Sequence, residues 1–267
     1  MKAMIFCAGL GTRLKPLTDT MPKALVPLAG KPLLQWQVEK LRDAGITDII
    51  VNVHHFPDMI IDTIRANNGW GCNILISDER DQLLDTGGGL RKALPSLLGK
   101  DGSRQPVLAC NVDILSNIDI REFIHEYNRQ SSNRPYSGLL VVSERKTQRY
   151  LCFDEKEVLR GWTNIATGEV KPSSLSEAAH SIIPSFRRLA FSGLQILSPE
   201  ALELLAQMPQ DKFSLIDFYL HLCEENQKSK IKNQKSILRA YVPENYRMMD
   251  VGKIDQIAEA EAFAENL

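Results

Sequence analysis

The run Met1–Leu34, MKAMIFCAGLGTRLKPLTDTMPKALVPLAGKPLL, constrains this chain more than any other stretch, because an apolar strand, a glycine turn and spaced cations follow one another directly. Met1 to Cys7 is apolar apart from Lys2, the pattern of a strand covered on both faces in a parallel sheet. The loop that follows therefore opens at a strand's carboxyl end. Gly9 and Gly11 let the backbone turn tightly with no Cβ in the way, so N–H groups across Ala8, Gly9, Leu10, Gly11 and Thr12 can converge on phosphate oxygens. Arg13 offers a planar fork suited to phosphate, and Lys23, after Pro22, offers a compact ammonium. Lys15 stands next to Pro16 and is left out of the set. Taken alone, Gly9 and Gly11 also fit an ordinary strand-to-helix turn.

Two familiar phosphate loops are excluded. No G-x-x-x-x-G-K-[ST] occurs, and Gly9-Leu-Gly11-Thr-Arg-Leu14 has Leu14 where a dinucleotide fingerprint needs its third glycine.

The chain then alternates. Helices are expected over Leu33 to Ala44, Pro57 to Asn67 and Leu90 to Leu98, and strands over Asp48 to Val53, Cys72 to Ile76 and Val107 to Val112. This pattern predicts an α/β fold, a Rossmann-like, mostly parallel mixed sheet flanked by helices, with ligands at the strands' carboxyl ends. The glycine loop and Asn111-Val112-Asp113 both fall there. After Asp113, strand-like pieces at Gly138 to Val142, Tyr150 to Phe153 and Phe191 to Leu197 alternate with turns, and Thr163 to Pro184 reads as a polar excursion over a site or an interface. Helices are expected again at Pro199 to Ala206, Leu215 to Glu225 and Ile254 to Glu265. One domain, residues 1–267, is expected, with 1–120 as its nucleotide half and 121–267 as its sugar-phosphate half.

Charge is nearly balanced, 32 basic against 33 acidic residues with no long basic run, which argues against broad binding to nucleic acid. Five cysteines without C-x-x-C spacing argue against a disulfide framework or a zinc site and fit reduced thiols in a cytoplasm. Cys7 and Cys110 read as small core residues. No signal-peptide pattern or stretch of membrane-spanning length is present, so neither secretion nor a membrane is expected. His54-His55 read as edge or surface histidines.

The string G-x-G-T-R, followed by P-K and G-K-P-L, resembles the signature of the sugar-1-phosphate nucleotidyltransferases, the nucleotide-sugar pyrophosphorylases. The resemblance covers nearly the whole chain and is strongest from 1 to 120. It implies a soluble enzyme that joins a nucleoside triphosphate to a sugar-1-phosphate with Mg2+ and releases pyrophosphate. Arg13, Lys23 and Asp113 are then the catalytic set, and Asp113 in NVD and Asp250 in DVG jointly bind magnesium. Leu84-Asp-Thr-Gly87-Gly88-Gly89-Leu90 looks like the base-recognition loop, in which Leu84, Gly87 and Gly88 read the base through the main chain. Its L-D-T-G-G-G is closely similar to the E-T-G-G-G run of N-acetylmuramate-1-phosphate uridylyltransferases of cell-wall recycling, which favours UTP. Mannose-1-phosphate guanylyltransferases, sharing GTR and PK, are the alternative. Phe191-Ser-Gly193 resembles the strand where Gly193 admits a sugar hydroxyl. Thr163-Asn164 replaces a Glu-Lys pair that many relatives use for the sugar, which makes Asn164 a sugar-binding candidate and motivates a phosphocholine or heptose-phosphate acceptor as a further alternative. The cation for the second phosphate stays open among Arg149, Lys171, Arg187 and Arg188. A homodimer is left open, and a nucleotide-sensing regulatory homologue is the non-enzyme reading.

Overall fold

The computed structural model describes residues 1–99, 102, 104–133, 136–172, 186–228 and 237–267. Its frame is a ten-stranded sheet with helices on both faces. Strand β1 (Lys2–Phe6) pairs in parallel with β4 (Asp48–Val53) on one side and β6 (Val107–Asn111) on the other, and β5 (Asn73–Asp78) extends the parallel run beyond β4. Two short strands, β2 (Pro27–Leu28) and β3 (Lys31–Pro32), form a separate hairpin before α1 (Leu33–Asp43).

Side chains of the central strands alternate between the two faces, as a strand's period of two requires. Ala3, Ile5 and Cys7 enter one core with Ile49, Val51, Leu108 and Cys110. That core packs under α1, α2 (Pro57–Ala66), α4 (Ile120–Asn133) and α7 (Ile257–Ala264). Met4, Phe6, Ile50, Val107 and Ala109 enter the other, under α3 (Asp85–Leu97), α5 (Pro199–Ala206) and α6 (Leu215–Lys228). Burial on both faces is why these strands read as near-continuous apolar runs.

The second half of the sheet is antiparallel except for one pair. β9 (Arg149–Phe153), β10 (Leu159–Asn164) and β11 (Glu169–Lys171) form a meander, and the long β12 (Arg187–Leu197) joins it to β6. β8 (Gly138–Ser143) pairs with β12 antiparallel and with β13 (Leu238–Tyr241) in parallel. The meander's short connections dictate this, because a parallel neighbour needs a long crossover. The mixed sheet expected from the sequence is present, with its parallel part in β5-β4-β1-β6 and β8-β13. Of the excursion expected from Thr163 to Pro184, residues 173–184 lie outside the described residues.

The helix expected from Leu90 begins earlier, at Asp85, so the three glycines lie inside its first turns. Glycine is a poor helix former, but here a side chain would not fit. A Cβ on Gly87 would lie 2.5 Å from the Phe213 ring, and one on Gly88 would lie 2.5 Å from the Asp211 carbonyl. Gly87→Ala is therefore expected to cost about 1–3 kcal/mol of stability by overpacking, seen as a lower urea midpoint with an unchanged slope. An unchanged midpoint would mean that the Phe213 contact is not held in solution.

Among the described residues no helix is long and apolar enough to cross a membrane. All five cysteines are free.

Candidate active site

The loop after β1 turns at Gly11, whose φ of 64° is left-handed. A Cβ there would meet Thr18 Cγ2 at 2.8 Å and the Lys23 Cβ at 3.2 Å, so the glycine lets the chain carrying Lys23 lie against the loop. The Gly11 carbonyl accepts hydrogen bonds from the Leu14 amide and the Thr18 hydroxyl, both at 2.8 Å. The tight turn Thr12–Leu14 presents Arg13, and a second turn, Lys23–Leu25, after the extended Pro22, presents Lys23.

Asp113 sits in the turn between β6 and β7 (Ile114–Ser116), and β7 pairs antiparallel with β14 (Met248–Asp250). That ladder places Asp250 opposite Ile114, and the Val251 amide donates to the Asp113 carbonyl at 2.8 Å. Two aspartates 137 positions apart thus meet at one end of the sheet. Lys23 Nζ donates to Asp113 Oδ2 in a partly buried ion pair. On the other side, a Cβ on Gly252 would lie 2.5 Å from Asp250 Oδ1 and 2.7 Å from Arg13 Nη2. Glycine at 252 leaves room for Arg13 and Asp250 to approach each other.

Asp250 Oδ1 is buried and has no hydrogen-bond partner. Burial raises its carboxyl pKa above the ordinary value and the charge of Asp113 raises it further, while Lys23, Arg13 and Arg145 pull the other way. A site with an orphaned carboxylate oxygen beside a second carboxylate suits a divalent cation that keeps several of its waters. Burial raises the Cys7 thiol and pushes Cys110 up to about 12, so both remain thiols in the core.

Two hollows flank this junction. A cavity of about 240 Å³ is lined by Gly9, Gly11, Thr12, Arg13, Lys23, Thr86, Asp113 and Gly252. A wider cleft of about 840 Å³ opens beyond Arg13 and Asp250, walled by the cations Arg145, Arg149 and Lys253 and the rings of Tyr150, Trp162 and Phe191. Arg13 belongs to both hollows, while Ala8 and Leu10 belong to neither, Ala8 being buried and Leu10 exposed.

Several expected site residues stand elsewhere or are occupied. The amides of Gly87 and Gly88 both donate to the Phe213 carbonyl, at 2.9 and 3.1 Å, and the Leu84 amide donates to Glu79 Oε2 at 3.2 Å. In this structure these three N–H groups serve tertiary contacts, and Thr86 is the residue of the segment that lines the cavity. Asn164 Oδ1 accepts from the Ala166 amide at 3.0 Å, capping the turn to β11, while Trp162 on the same strand face lines the cleft. Gly193, φ 69°, lies at an irregularity of β12 where a Cβ would meet Asn111 Nδ2 at 2.9 Å, outside the wide cleft. Neither Asn164 nor Gly193 is among the residues that line the wide cleft.

Of the four cations left open, Arg149 lines the cleft. Lys171 pairs with Glu169 at 3.0 Å, and Arg187 pairs with Glu144 at 2.8 Å. Arg188 is exposed. Arg145 and Lys253 were missed by the sequence reading. Their signals were a basic run, Arg145 to Arg149, just past the carboxyl end of β8, and a lysine directly after the D-V-G turn.

The chain is similar to proteins named as sugar-phosphate nucleotidyltransferases. It is 44% identical over 119 residues, 45% of its length, to the N-acetylmuramate alpha-1-phosphate uridylyltransferase of Neisseria meningitidis, and the match spans 49% of that protein. It therefore spans about half the length of that relative. A weaker, longer likeness is to the probable mannose-1-phosphate guanylyltransferase 2 of Arabidopsis thaliana, 28% identical over 89% of this chain and 70% of that one. Among solved structures, HddC from Yersinia pseudotuberculosis, complexed with GMP-PN, superposes with a TM-score of 0.71 at 22% identity, covering 98% of this chain and 99% of that one. That likeness supports the fold. The nucleotidyl transferase family profile matches residues 2–266, and the chain belongs to that family.

Proposed function

We propose that this chain transfers a nucleotidyl group from an NTP to a sugar-1-phosphate, with UTP as the favoured donor and N-acetylmuramate-1-phosphate, or a similar acidic sugar phosphate, as the acceptor. The observation that carries the reading is the convergence of Arg13, Lys23, Asp113 and Asp250 between a glycine-loop cavity and a cation-lined cleft.

In this reading the narrow cavity takes the triphosphate and the wide cleft takes the sugar phosphate, so residues 1–120, with Gly252, serve the donor and 121–267, with Arg13, the acceptor. A phosphate oxygen of the sugar-1-phosphate attacks the α-phosphorus, and the bond to the β-phosphate oxygen breaks. The nucleophile is already an anion, so the demand on the protein is alignment and charge neutralisation rather than proton transfer. Arg13 and Lys23 hold the phosphates of the leaving pyrophosphate. Arg145, Arg149 and Lys253 neutralise the incoming phosphate, and the rings of Tyr150, Trp162 and Phe191 offer apolar faces to the sugar. Asp113 and Asp250 are the residues that would hold Mg2+, which, when bound, supplies positive charge against the α-phosphate. With an ion held by Asp113, Lys23 would no longer be that carboxylate's only counter-charge and would be available to the phosphates.

The D-T-G-G-G run and the likeness to the Neisseria uridylyltransferase support UTP. Three cations beyond the donor cavity support an acceptor with a carboxylate as well as a phosphate. The longer likeness to mannose-1-phosphate guanylyltransferases supports a second reading, GTP with mannose-1-phosphate. Pyrophosphate release across the four NTPs and a panel of sugar-1-phosphates separates them. UTP with an acidic sugar phosphate is expected to be fastest; a clear GTP preference would transfer the assignment to the mannose reading, and no release with any pair would sink both.

A further inference from the structure

The carboxyl end of β4, Asn52-Val-His54-His55, touches both loops of the donor cavity without lining it. Asn52 is 2% exposed and Glu79 is fully buried. Asn52 Oδ1 accepts from the Cys7 amide at 2.8 Å, where the glycine loop begins. Asn52 Nδ2 donates to Glu79 Oε1 at 2.7 Å, and Glu79 Oε2 accepts from the Leu84 amide at 3.2 Å, where the segment carrying Thr86 begins. A Cβ on Gly89 would lie 2.6 Å from Glu79 Oε1 and 3.0 Å from Asn52 Nδ2, so this pair also explains the third glycine of the run.

The two histidines continue the pattern. His54 Nδ1 lies 2.7 Å from the Glu79 carbonyl, and His55 Nε2 lies 3.1 Å from the Thr18 carbonyl, whose hydroxyl in turn holds Gly11. They are not free edge histidines.

We propose that Asn52 and Glu79 are positioning residues, a buried relay that fixes the spacing between the phosphate loop and the Leu84–Gly89 segment and so sets which NTP fits. The chemistry of the pair matches the task. Each end of the relay is an amide N–H, so the relay needs an acceptor at both ends and one internal donor; an amide joined to a carboxylate meets that demand. An apolar pair of the same volume would leave the Cys7 and Leu84 amides buried and unpaired.

The proposal rests on the nucleotidyltransferase reading for its kinetic arm only. Glu79→Gln puts an NH2 against one of two donors, and Asn52→Asp puts two carboxylates together. The swap Asn52→Asp with Glu79→Gln restores every hydrogen bond with the central one reversed. Each single variant is expected to raise KM for the preferred NTP about tenfold and to narrow its preference over the next-best NTP about fivefold, with the sugar-1-phosphate KM within about twofold. The swap is expected to return NTP KM to within about threefold of wild type. In parallel, amide exchange of peptides containing Cys7 and Leu84 is expected to quicken in the single variants and to slow again in the swap. If the singles change both KM values equally, if the swap recovers neither readout, or if exchange at Cys7 and Leu84 stays at the wild-type rate, the relay is only a packing feature. If a single variant is insoluble, the swap decides: wild-type exchange and KM support the relay, and loss of either overturns it. If wild type turns over no NTP, the function reading falls while the exchange experiment still tests the relay.

Discussion

Asp250→Asn is expected to cut turnover roughly 10²–10³-fold while raising the melting temperature of the chelator-treated protein near pH 7. The two effects have one cause. Asp250 Oδ1 is buried without a partner, beside the charge of Asp113, and its carboxyl pKa is raised above the ordinary value. For a group whose folded pKa exceeds its unfolded value, stability is fully present below the unfolded value, about 3.9 for an aspartate, and is lost as pH rises through the folded one. Near neutrality the ionised carboxylate is therefore a liability in the absence of a cation, and a neutral amide of the same shape relieves it. The advantage of the variant should shrink as pH falls toward the unfolded value. Thermal melts in chelator at several pH values, beside pyrophosphate-release rates, make the comparison. Ordinary magnesium-dependent turnover in Asp250→Asn, or a lower melting temperature at neutral pH, would remove Asp250 from the metal site.

The second large effect is at Lys23. Lys23→Ala should lose about 2–4 kcal/mol of transition-state stabilisation, roughly 30- to 1,000-fold in turnover, because a preorganised cation on the leaving group is gone. Its ion pair with Asp113 adds a consequence of opposite sign. An ion that takes Asp113 must compete with the ammonium, so removing Lys23 should lower the magnesium concentration needed for half-maximal rate even as the maximal rate collapses. A magnesium titration of wild type and variant reads both numbers. If the variant needs more magnesium, the lysine helps to hold the ion rather than competing with it, and the hand-over at Asp113 is wrong.

Much of this was legible in the residues. Asp48–Val53 forms a strand over the same residues the apolar run predicted, since burial on both faces leaves little room for another reading. The NVD and DVG turns marked two carboxylates at strand ends, and the β7–β14 ladder brings them together. What was not legible came from contacts between distant segments. Glycine's low helix propensity argued for a loop at Gly87 to Gly89. The reason for a helix there lies in Phe213 and Asp211, and in the buried Glu79, none of which local pattern can connect. His54-His55 looked like surface residues because their partners are carbonyl oxygens, which have no side-chain signature. Trp162 lines the cleft, while the Asn164 side chain closes the turn to β11, a local bond of the kind asparagine favours.

β12 carries a wider consequence. Its carboxyl-terminal half is laddered to β6, the strand that delivers Asp113, and its amino-terminal half to β9, which helps wall the wide cleft. Each half is held in register by its own ladder, and the irregularity at Gly193 sits between them, so in the proposed reaction β12 joins a donor end to an acceptor end through one jointed strand. The β9–β11 meander hangs from the amino-terminal half alone, apart from the ladder to β6. If the proposed reaction holds, a scaffold built this way is open to acceptor exchange over evolutionary time while its transfer chemistry stays in register.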